Sequence, residues 1–415
     1  MTAVRILFLL TQDLESPSGQ GRYLPLAQGL VRLGHTVHIA ALHADFSSLT
    51  MTSAEEGGVQ VEYVAPMHVR KHGSHKTYYP AHQLLWLAAR ATWRLSQAAL
   101  HTPADVIHIG KPHPMNSIAG LVAGMVRRSI VFLDCDDYEA ASAHFSGAWQ
   151  RWGVALFEDN APRRVHHVTT NTLFQRERLL RLGVPAGQIT YLPNGVDARR
   201  FNCAEPDKGH ALRQRLGLSG KQVVAFIGSL SAVSHPVDLL LSAFRRVHEA
   251  RPASVLLLVG GGEDYDRLQE RARAMGLGEC VVFTGRVPRA EIPDYYQVAD
   301  VSVDPVYDDD AARGRSPLKL FESWAAGAPF VTADVGDRRQ LLGAPPAGIL
   351  VKPGDAEALA AGILEVLSAP ELALELRKRG QQRALDYDWS HLARKVEAIY
   401  LAALARRQRM PVVRQ

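Results

Sequence analysis

Short runs of β-branched and aliphatic residues alternate with helix-length segments along the whole chain, and this alternation limits the fold more than any other feature. The first half offers Val4–Leu10, Thr36–Leu42, Val59–Val64, Val106–Ile109, Ile130–Leu133 and His166–Thr170. The second offers Val223–Ile227, Val255–Val259, Val281–Phe283, Val301–Val303, Phe330–Thr332 and Gly348–Val351. Between them lie amphipathic patterns such as Tyr23–Leu33 and Leu239–Glu249. Strand and helix in this order predict an α/β fold, with parallel sheets covered by helices on both faces. Twelve such strands are too many for one compact sheet, and 415 residues suffice for two domains. Two doubly wound, Rossmann-like domains are therefore expected. The polar stretch from Pro193 to Lys221 is the expected boundary.

Composition excludes several classes. A hydrophobic fraction of 47% with 21% charged residues fits a globular chain and not a disordered one. Cys135, Cys203 and Cys280 lie far apart without paired spacing, against a disulfide framework or a zinc site. The opening MTAVRILFLLTQD lacks a signal peptide's long apolar core, and no run approaches the roughly 20 apolar residues of a membrane span. A cytoplasmic protein is expected. No nucleic-acid-binding motif or internal repeat is present. The net charge of +5 is modest but clustered, in His68–His72 with His75 and Lys76, and in Arg406–Arg409 with Arg414. Two readings stand open for these clusters: solvated faces, or a peripheral contact with anionic headgroups at the inner membrane face. The segment Gln83–Leu95 mixes Trp86 and Trp93 with Arg90 and Arg94, and it too is open to a core or a headgroup reading.

Three segments carry chemistry. Gly19 and Gly21 follow the first strand, where glycines admit an anion to a helix N-terminus or simply make a tight turn. The absence of a third glycine argues against a dinucleotide fingerprint. Gly260-Gly261-Gly262 follows one strand of the second half, and Thr284-Gly285-Arg286-Val287 ends the next, where backbone groups can read a nucleobase. In Arg313–Gly327, Ser316 suits an N-cap, Pro317 the first helical position and Gly327 the stop. Lys319 and Glu322, three apart, share a helix face, placing a cation for a diphosphate one turn before a carboxylate for ribose hydroxyls. An intrahelical ion pair on a surface helix is the plainer alternative.

Taken together, these residues resemble the family-4 glycosyltransferases of the GT-B fold. The resemblance rests on Gly19-x-Gly21 with Gly34-His35-x-Val37, on Asp105-Val106-Ile107-His108, and on Pro193-Asn194-Gly195-Val196-Asp197 with Phe201. It continues in Gly228-x-Leu230, Asp238-Leu239-Leu240, Glu322 with Ala326-Gly327 and Pro329, and Trp389 with Tyr400. It implies two Rossmann-like domains facing a cleft, an acceptor-side domain over 1–200 and a donor-binding domain over 201–388. A last helix over 389–408 returns to the first domain. It further implies retaining transfer of a sugar from a nucleotide-sugar to a glycan, lipid-linked or small-molecule acceptor, with neither metal nor cofactor beyond that substrate.

The donor-binding residues it implies are Gly19, Gly21, Gly228, Gly285, Arg286, Val287, Arg315, Ser316, Pro317, Leu318, Lys319 and Glu322. His108, expected at a strand end, is the candidate catalytic group, with a structural histidine as the alternative. Asp136 and Asp137 are candidates for acceptor hydroxyls, with helix capping and, less favoured, metal binding as alternatives. Asp308–Asp310 is expected in a solvated loop near the donor, with a stand-in for the family's missing carboxylate as the alternative. Three departures stand out. Gly314 replaces a usual carboxylate, Ser229 replaces a usual arginine, and Ser234-His235-Pro236 fills the region of a usual phosphate-clamping lysine. Lys319, with Arg315 or Arg286, is the expected replacement clamp. A catalytically silent nucleotide-sugar-binding subunit and a GT-B epimerase or phosphorylase are the competing readings.

Overall fold

The computed structural model describes residues 3–72, 75–142, 145, 147–202, 206–232 and 235–409. It divides into two compact units, one of Met1–Arg70, Tyr78–Pro193 and Trp389–Gln415, the other of Lys71–Thr77 and Asn194–Asp388. We call them unit 1 and unit 2. Both are parallel-sheet Rossmann-like domains, as the alternation predicts.

In unit 1, eight strands form one sheet: β1 (Arg5–Leu10), β2 (Thr36–His43), β3 (Ser53–Glu56), β4 (Val59–Pro66), β7 (Val106–Gly110), β8 (Ile130–Cys135), β9 (His167–Thr170) and β10 (Ile189–Tyr191). Between them in sequence, β5 (Val69–His72) and β6 (His75–Tyr78) make a separate ribbon. The sheet order is β10-β9-β8-β7-β1-β2-β4-β3, and only β3 runs antiparallel. One face is covered by α1 (Leu24–Arg32) and the C-terminal helix Trp389–Arg409, whose Trp389, Leu392, Val396 and Tyr400 join Phe8, Leu26 and Phe132 in one core. The other carries α2 (Ala81–His101), α3 (Pro114–Arg127), α4 (Glu139–Ser142), α5 (Ala148–Asn160) and α6 (Leu173–Arg181). There Ala91, Leu95, Ala119, Ala123 and Leu179 pack on Ile107, Val131 and Val168.

In unit 2, β11 (Gln222–Ile227), β12 (Ser254–Val259), β13 (Val281–Gly285), β14 (Val301–Asp304), β15 (Phe330–Ala333) and β16 (Ile349–Val351) form an all-parallel sheet ordered β13-β12-β11-β14-β15-β16. Its central strands are apolar on both faces, as strands between two helical layers must be. The sheets share one topological property. The first strand of each, β1 or β11, lies between a strand that follows it directly and one reached by a longer connection. In open α/β sheets a ligand crevice forms beyond the C-terminal ends of the strands at such a reversal. Those ends are Thr11–Asp13 and Lys111–His113 in unit 1, and Gly228–Leu230 and Asp304–Val306 in unit 2.

Candidate functional site

In unit 2 the chain beyond β11 and β14 is gathered around one buried carboxylate. Asp304 ends β14, and its Oδ1 lies 3.1 Å from the Lys319 ammonium while its Oδ2 accepts from Arg338 at 3.0 Å. His235 stands 3.3 Å from the Lys319 Nζ, which also lies 5.0 Å from the centre of the Phe226 ring. Burial lowers the Lys319 pKa although Asp304 opposes it. Burial, then the charges of Lys319 and Arg315, hold the His235 imidazole neutral, well below its ordinary range. Burial would raise the Asp304 pKa, but Lys319 and Arg338 outweigh it and hold the carboxyl below the ordinary carboxylate range. Two cations thus share one carboxylate, leaving the β11–β14 reversal positive.

Lys319 belongs to the helix Leu318–Ala326, which stops at Gly327 in the left-handed conformation, as expected. Its start differs from expectation. Pro317 is the N-cap and Ser316 does not cap the helix. The Ser316 hydroxyl instead accepts from the Asn194 backbone N–H at 3.1 Å, and the Asn194 side chain donates to the Ser316 carbonyl at 2.9 Å. Asn194 therefore fixes the approach to the helix, because its backbone and side-chain N–H groups both donate to one residue. One turn on, Glu322 is half-buried and accepts from the Tyr296 hydroxyl at 3.1 Å. Burial raises its pKa, with Arg200, Tyr296, Lys319 and Arg289 acting against the rise.

Gly228 closes β11 beside the lysine stem, where a Cβ would meet the Lys319 Cε at 3.2 Å. Gly260 bridges the next two strands, donating to the Gly285 carbonyl at 2.9 Å. Its φ of 137° and a Gly228 carbonyl only 2.0 Å from any added Cβ make glycine the residue that fits there. Arg286 is exposed, while Val287, Arg315 and Leu318 are half-buried. The structure thus brings Gly228, Ser316, Pro317, Lys319 and Glu322 around the end of β11 and the Leu318–Ala326 helix. Gly19 and Gly21, the donor-binding candidates of the first half, belong to unit 1. There they lie in a π-turn over Gly19–Tyr23, and the Gly21 carbonyl accepts from the Trp389 indole at 3.0 Å. Ser234 lies outside the described residues, as does Cys203, whereas Cys135 and Cys280 are buried free thiols.

In unit 1 the histidine reading is corrected. His108 is the middle residue of β7, not its end, and is 1% exposed. Its ring stacks on Phe8 at 4.9 Å, lies 6.0 Å from Phe132, and its Nδ1 hydrogen-bonds the Tyr400 hydroxyl. Burial pulls its pKa down to about 4, so it is a neutral member of the core. The strand end two residues on supplies Lys111, which holds a φ of 69°.

The acidic run after β8 is split. Asp134 turns inward to a buried bidentate pair with Arg22, at 2.6 and 2.7 Å, and accepts from the Thr169 hydroxyl at 2.5 Å. Asp136, Asp137 and Glu139 surround the Lys111 ammonium at 3.2, 2.9 and 2.5 Å. These three carboxylates are close enough to share a cation, and the cation among them is this lysine. His113 extends the cluster from Glu139 at 3.1 Å to the Thr11 hydroxyl at 2.6 Å. Burial pushes Asp136 up to about 7, the neighbouring carboxylates adding to it and Lys111 opposing. The sequence reading missed Arg22, Lys111, Glu139, Asp304 and Arg338. Asp308–Asp310 is exposed as expected, with Asp309 capping a short helix over Asp310–Arg313.

Two parallel-sheet Rossmann-like units in one chain are the architecture of the GT-B fold, and the chain belongs to the group 1 glycosyl transferases. Residues 210–383 match the family described as "Glycosyl transferases group 1", and residues 18–195 match the "Glycosyl transferase 4-like domain". The chain is 29% identical over 245 residues to the GDP-mannose-dependent alpha-(1-6)-phosphatidylinositol monomannoside mannosyltransferase of Mycolicibacterium smegmatis, 57% of this chain and 64% of that protein. It is 31% identical over 222 residues to the D-inositol 3-phosphate glycosyltransferase of Segniliparus rotundus, 52% of this chain and 47% of that protein. The chain therefore spans about half to two-thirds of the length of these relatives. Among solved structures, sucrose-phosphate synthase from Thermosynechococcus elongatus shares the fold with a TM-score of 0.77 at 21% identity, covering 97% of this chain and 100% of that one. Anabaena HepE in complex with UDP-glucose does so with a TM-score of 0.73 at 20% identity, covering 96% and 100%.

Proposed function

We propose that the chain is a retaining glycosyltransferase. In this reading, unit 2 binds a nucleotide-diphosphate sugar beyond β11 and β14, and unit 1 receives a glycan, lipid-linked or small-molecule acceptor beyond β7 and β8. The observation that carries it is the positive reversal of the unit 2 sheet, where Lys319 and Arg338 share Asp304 beside a neutral His235. A diphosphate supplies the missing negative charge. The Lys319 ammonium stands beside His235, the region where the family resemblance expects a clamping lysine, which supports Lys319 as the replacement clamp. Glu322, with one oxygen fixed by Tyr296, uses the other for the ribose hydroxyls.

Catalysis then follows from positioning and from stabilising the departing diphosphate with charges already in place. Asp136 and Asp137, oriented by Lys111, accept hydrogen bonds from the acceptor's hydroxyls. One relative's name carries GDP-mannose and one neighbour was solved with UDP-glucose, so GDP and UDP sugars are the first donors to test.

The test is a thermal-shift panel of nucleotide-sugars, followed by incubation with the stabilising donor and NMR of the released or transferred sugar. Ligand at about 100 times its Kd raises native stability by about 2.7 kcal/mol. One donor should stabilise the protein, and an α-linked donor should yield an α-anomer first. A β-anomer would overturn retention, and failure of every donor to bind would overturn the assignment.

A further inference from the structure

The sequence contains six tryptophans, and their distribution is uneven. Trp324 and Trp389 are buried. The other four are exposed: Trp86 and Trp93 on α2 by 61% and 64%, Trp149 and Trp152 on α5 by 44% and 69%. The core reading of Gln83–Leu95 does not hold, because its tryptophans are exposed. With roughly 250 Å² per indole side chain, the four present about 600 Å² of aromatic surface to water. Apolar patches on soluble proteins seldom exceed a few hundred Å² without a partner.

The four belong to one face. α2, α3 and α5 cover the same side of the unit 1 sheet, with α3 packed against both of the others. On α3 the outward residues between them are Ile118 and Met125, two turns apart and both exposed. On α5, Trp149, Trp152 and Leu156 make a stripe at helical spacing, also exposed. Trp86, Ile118, Trp149 and Trp152 all lie in the first two turns of their helices. α2 leads into the start of β7, whereas α3 and α5 follow the ends of β7 and β8. All three helices therefore begin at the C-terminal edge of the sheet, the edge that carries Lys111, Asp136 and Asp137.

Charge on this face is predominantly of one sign. α2 and α3 contain no aspartate or glutamate over their entire length, and α5 contains none from Ala148 to Leu156. Beyond that, Glu158 is buried and Asp159 pairs with Arg178. Arg90 lies over the Trp86 ring at 5.3 Å, and Arg94, Arg127, Arg128 and Arg151 accompany it. None of these five forms an ion pair among the described residues. The side chains of 71–76 in the basic segment noted above, and Arg414, lie outside the described residues. No helix among the described residues is long and apolar enough to cross a membrane.

We propose that the outer faces of α2, α3 and α5 dock on an anionic lipid bilayer. Indole rings favour the headgroup zone, arginines pair with lipid phosphates, and missing carboxylates remove the repulsion that an anionic surface would otherwise exert. Docking on this face sets the carboxylate edge of the unit 1 sheet near the interface. It does not depend on the reaction proposed above, because vesicle binding is read without donor or acceptor.

The test is co-sedimentation of the full chain with vesicles of phosphatidylcholine, and with vesicles in which a third of the lipid is phosphatidylglycerol. Each surface arginine is worth roughly fivefold on an anionic surface. The chain should therefore bind the phosphatidylglycerol vesicles more than tenfold tighter. Trp149→Ser with Trp152→Ser should cost more than tenfold on these vesicles, and Arg90→Glu with Arg94→Glu should abolish the preference for them. Both double variants alter exposed positions, and an unchanged melting temperature confirms their fold. No binding, or equal binding to both vesicle types, overturns the proposal. So does concentration-dependent self-association in sedimentation velocity that the tryptophan variants remove, since a second copy would then cover the face.

Discussion

Replacing Lys319 with methionine keeps the stem that fills the space beside Gly228 and removes only the ammonium. Two effects follow, and their sizes differ. For the fold, the loss is one charge-assisted bond to Asp304, about 1.5–3 kcal/mol, reduced because burial already disfavours the ammonium. Asp304 keeps Arg338 at 3.0 Å, so no buried carboxylate is orphaned and the larger penalty of about 3–5 kcal/mol does not arise. A net loss of about 1–2 kcal/mol lowers the melting temperature of a domain this size by roughly 2–8 °C. For the ligand, the lost bond is to the diphosphate alone, and about 1.5–3 kcal/mol corresponds to roughly 10- to 150-fold in affinity. Calorimetry at a temperature well below unfolding, with the nucleoside diphosphate and the matching nucleoside, separates the two. The diphosphate should weaken at least tenfold and the nucleoside by less than about twofold. Equal weakening of both would show that Lys319 only supports its helix, and an unchanged diphosphate affinity would remove it from the site.

Glu322→Gln keeps an acceptor for Tyr296 but loses the charged partner of the ribose, so nucleoside and diphosphate should weaken together by roughly tenfold in calorimetry while the fold stays intact. His108→Phe keeps the stack on Phe8 and should leave turnover within a few-fold, because the ring lies in the core. The same variant changes acid stability. His108 binds its proton near 4 when folded and at its ordinary 6.5 when unfolded, so between these values protons favour the unfolded chain and destabilisation grows as pH falls. Asp136 and Glu158, both pushed up to about 7 by burial, act in the opposite sense over that window. The readout is therefore a difference, and the urea midpoint of the phenylalanine variant should fall less between neutral and mildly acidic pH than that of the parent. An identical pH dependence would show that His108 is not a buried neutral group.

The sheets were legible because a strand buried on both faces writes itself as an unbroken apolar run. Where burial is partial the signal fades. β3 is Ser53-Ala54-Glu55-Glu56, exposed throughout on the sheet edge, and β10 is a half-buried triplet, so neither stands out in the sequence. The same logic explains His108. Within Val106–Gly110 every residue is buried, and a histidine inside such a run belongs to the core; the apolar Ile109 after it already places the strand end later. Lys319 and Glu322 were legible because helical spacing is local. Their surroundings were not, since Asp304, Arg338 and His235 arrive from other elements, just as Arg22 meets Asp134 across 112 positions. Pairings set by topology leave no spacing to read. The one cue for Lys111 was a cation directly beyond a strand end at the sheet's reversal, and it becomes legible only once the strand order is known.

That strand order also accounts for how one architecture serves the two unlike ligands of the proposed transfer. In both units the reversal beside the first strand leaves backbone and side chains of two loops converging, and nothing in the topology fixes the sign of charge there. In unit 2 a single carboxylate is shared by a lysine and an arginine, so the cations are in excess. In unit 1 a single lysine is shared by Asp136, Asp137 and Glu139, so acceptors of hydrogen bonds are in excess. The proposed transfer needs this opposition: a diphosphate held and stabilised as it departs, and hydroxyl groups oriented by oxygens that accept their protons. Each lone charge also orders its neighbours. Asp304 keeps two cations from repelling each other apart, and Lys111 does the same for three carboxylates, which is why both are buried although neither belongs to the apolar core. Removing either one should therefore disorder the charges it collects and not merely subtract one contact, which sets these two residues apart from the groups proposed to touch ligand directly.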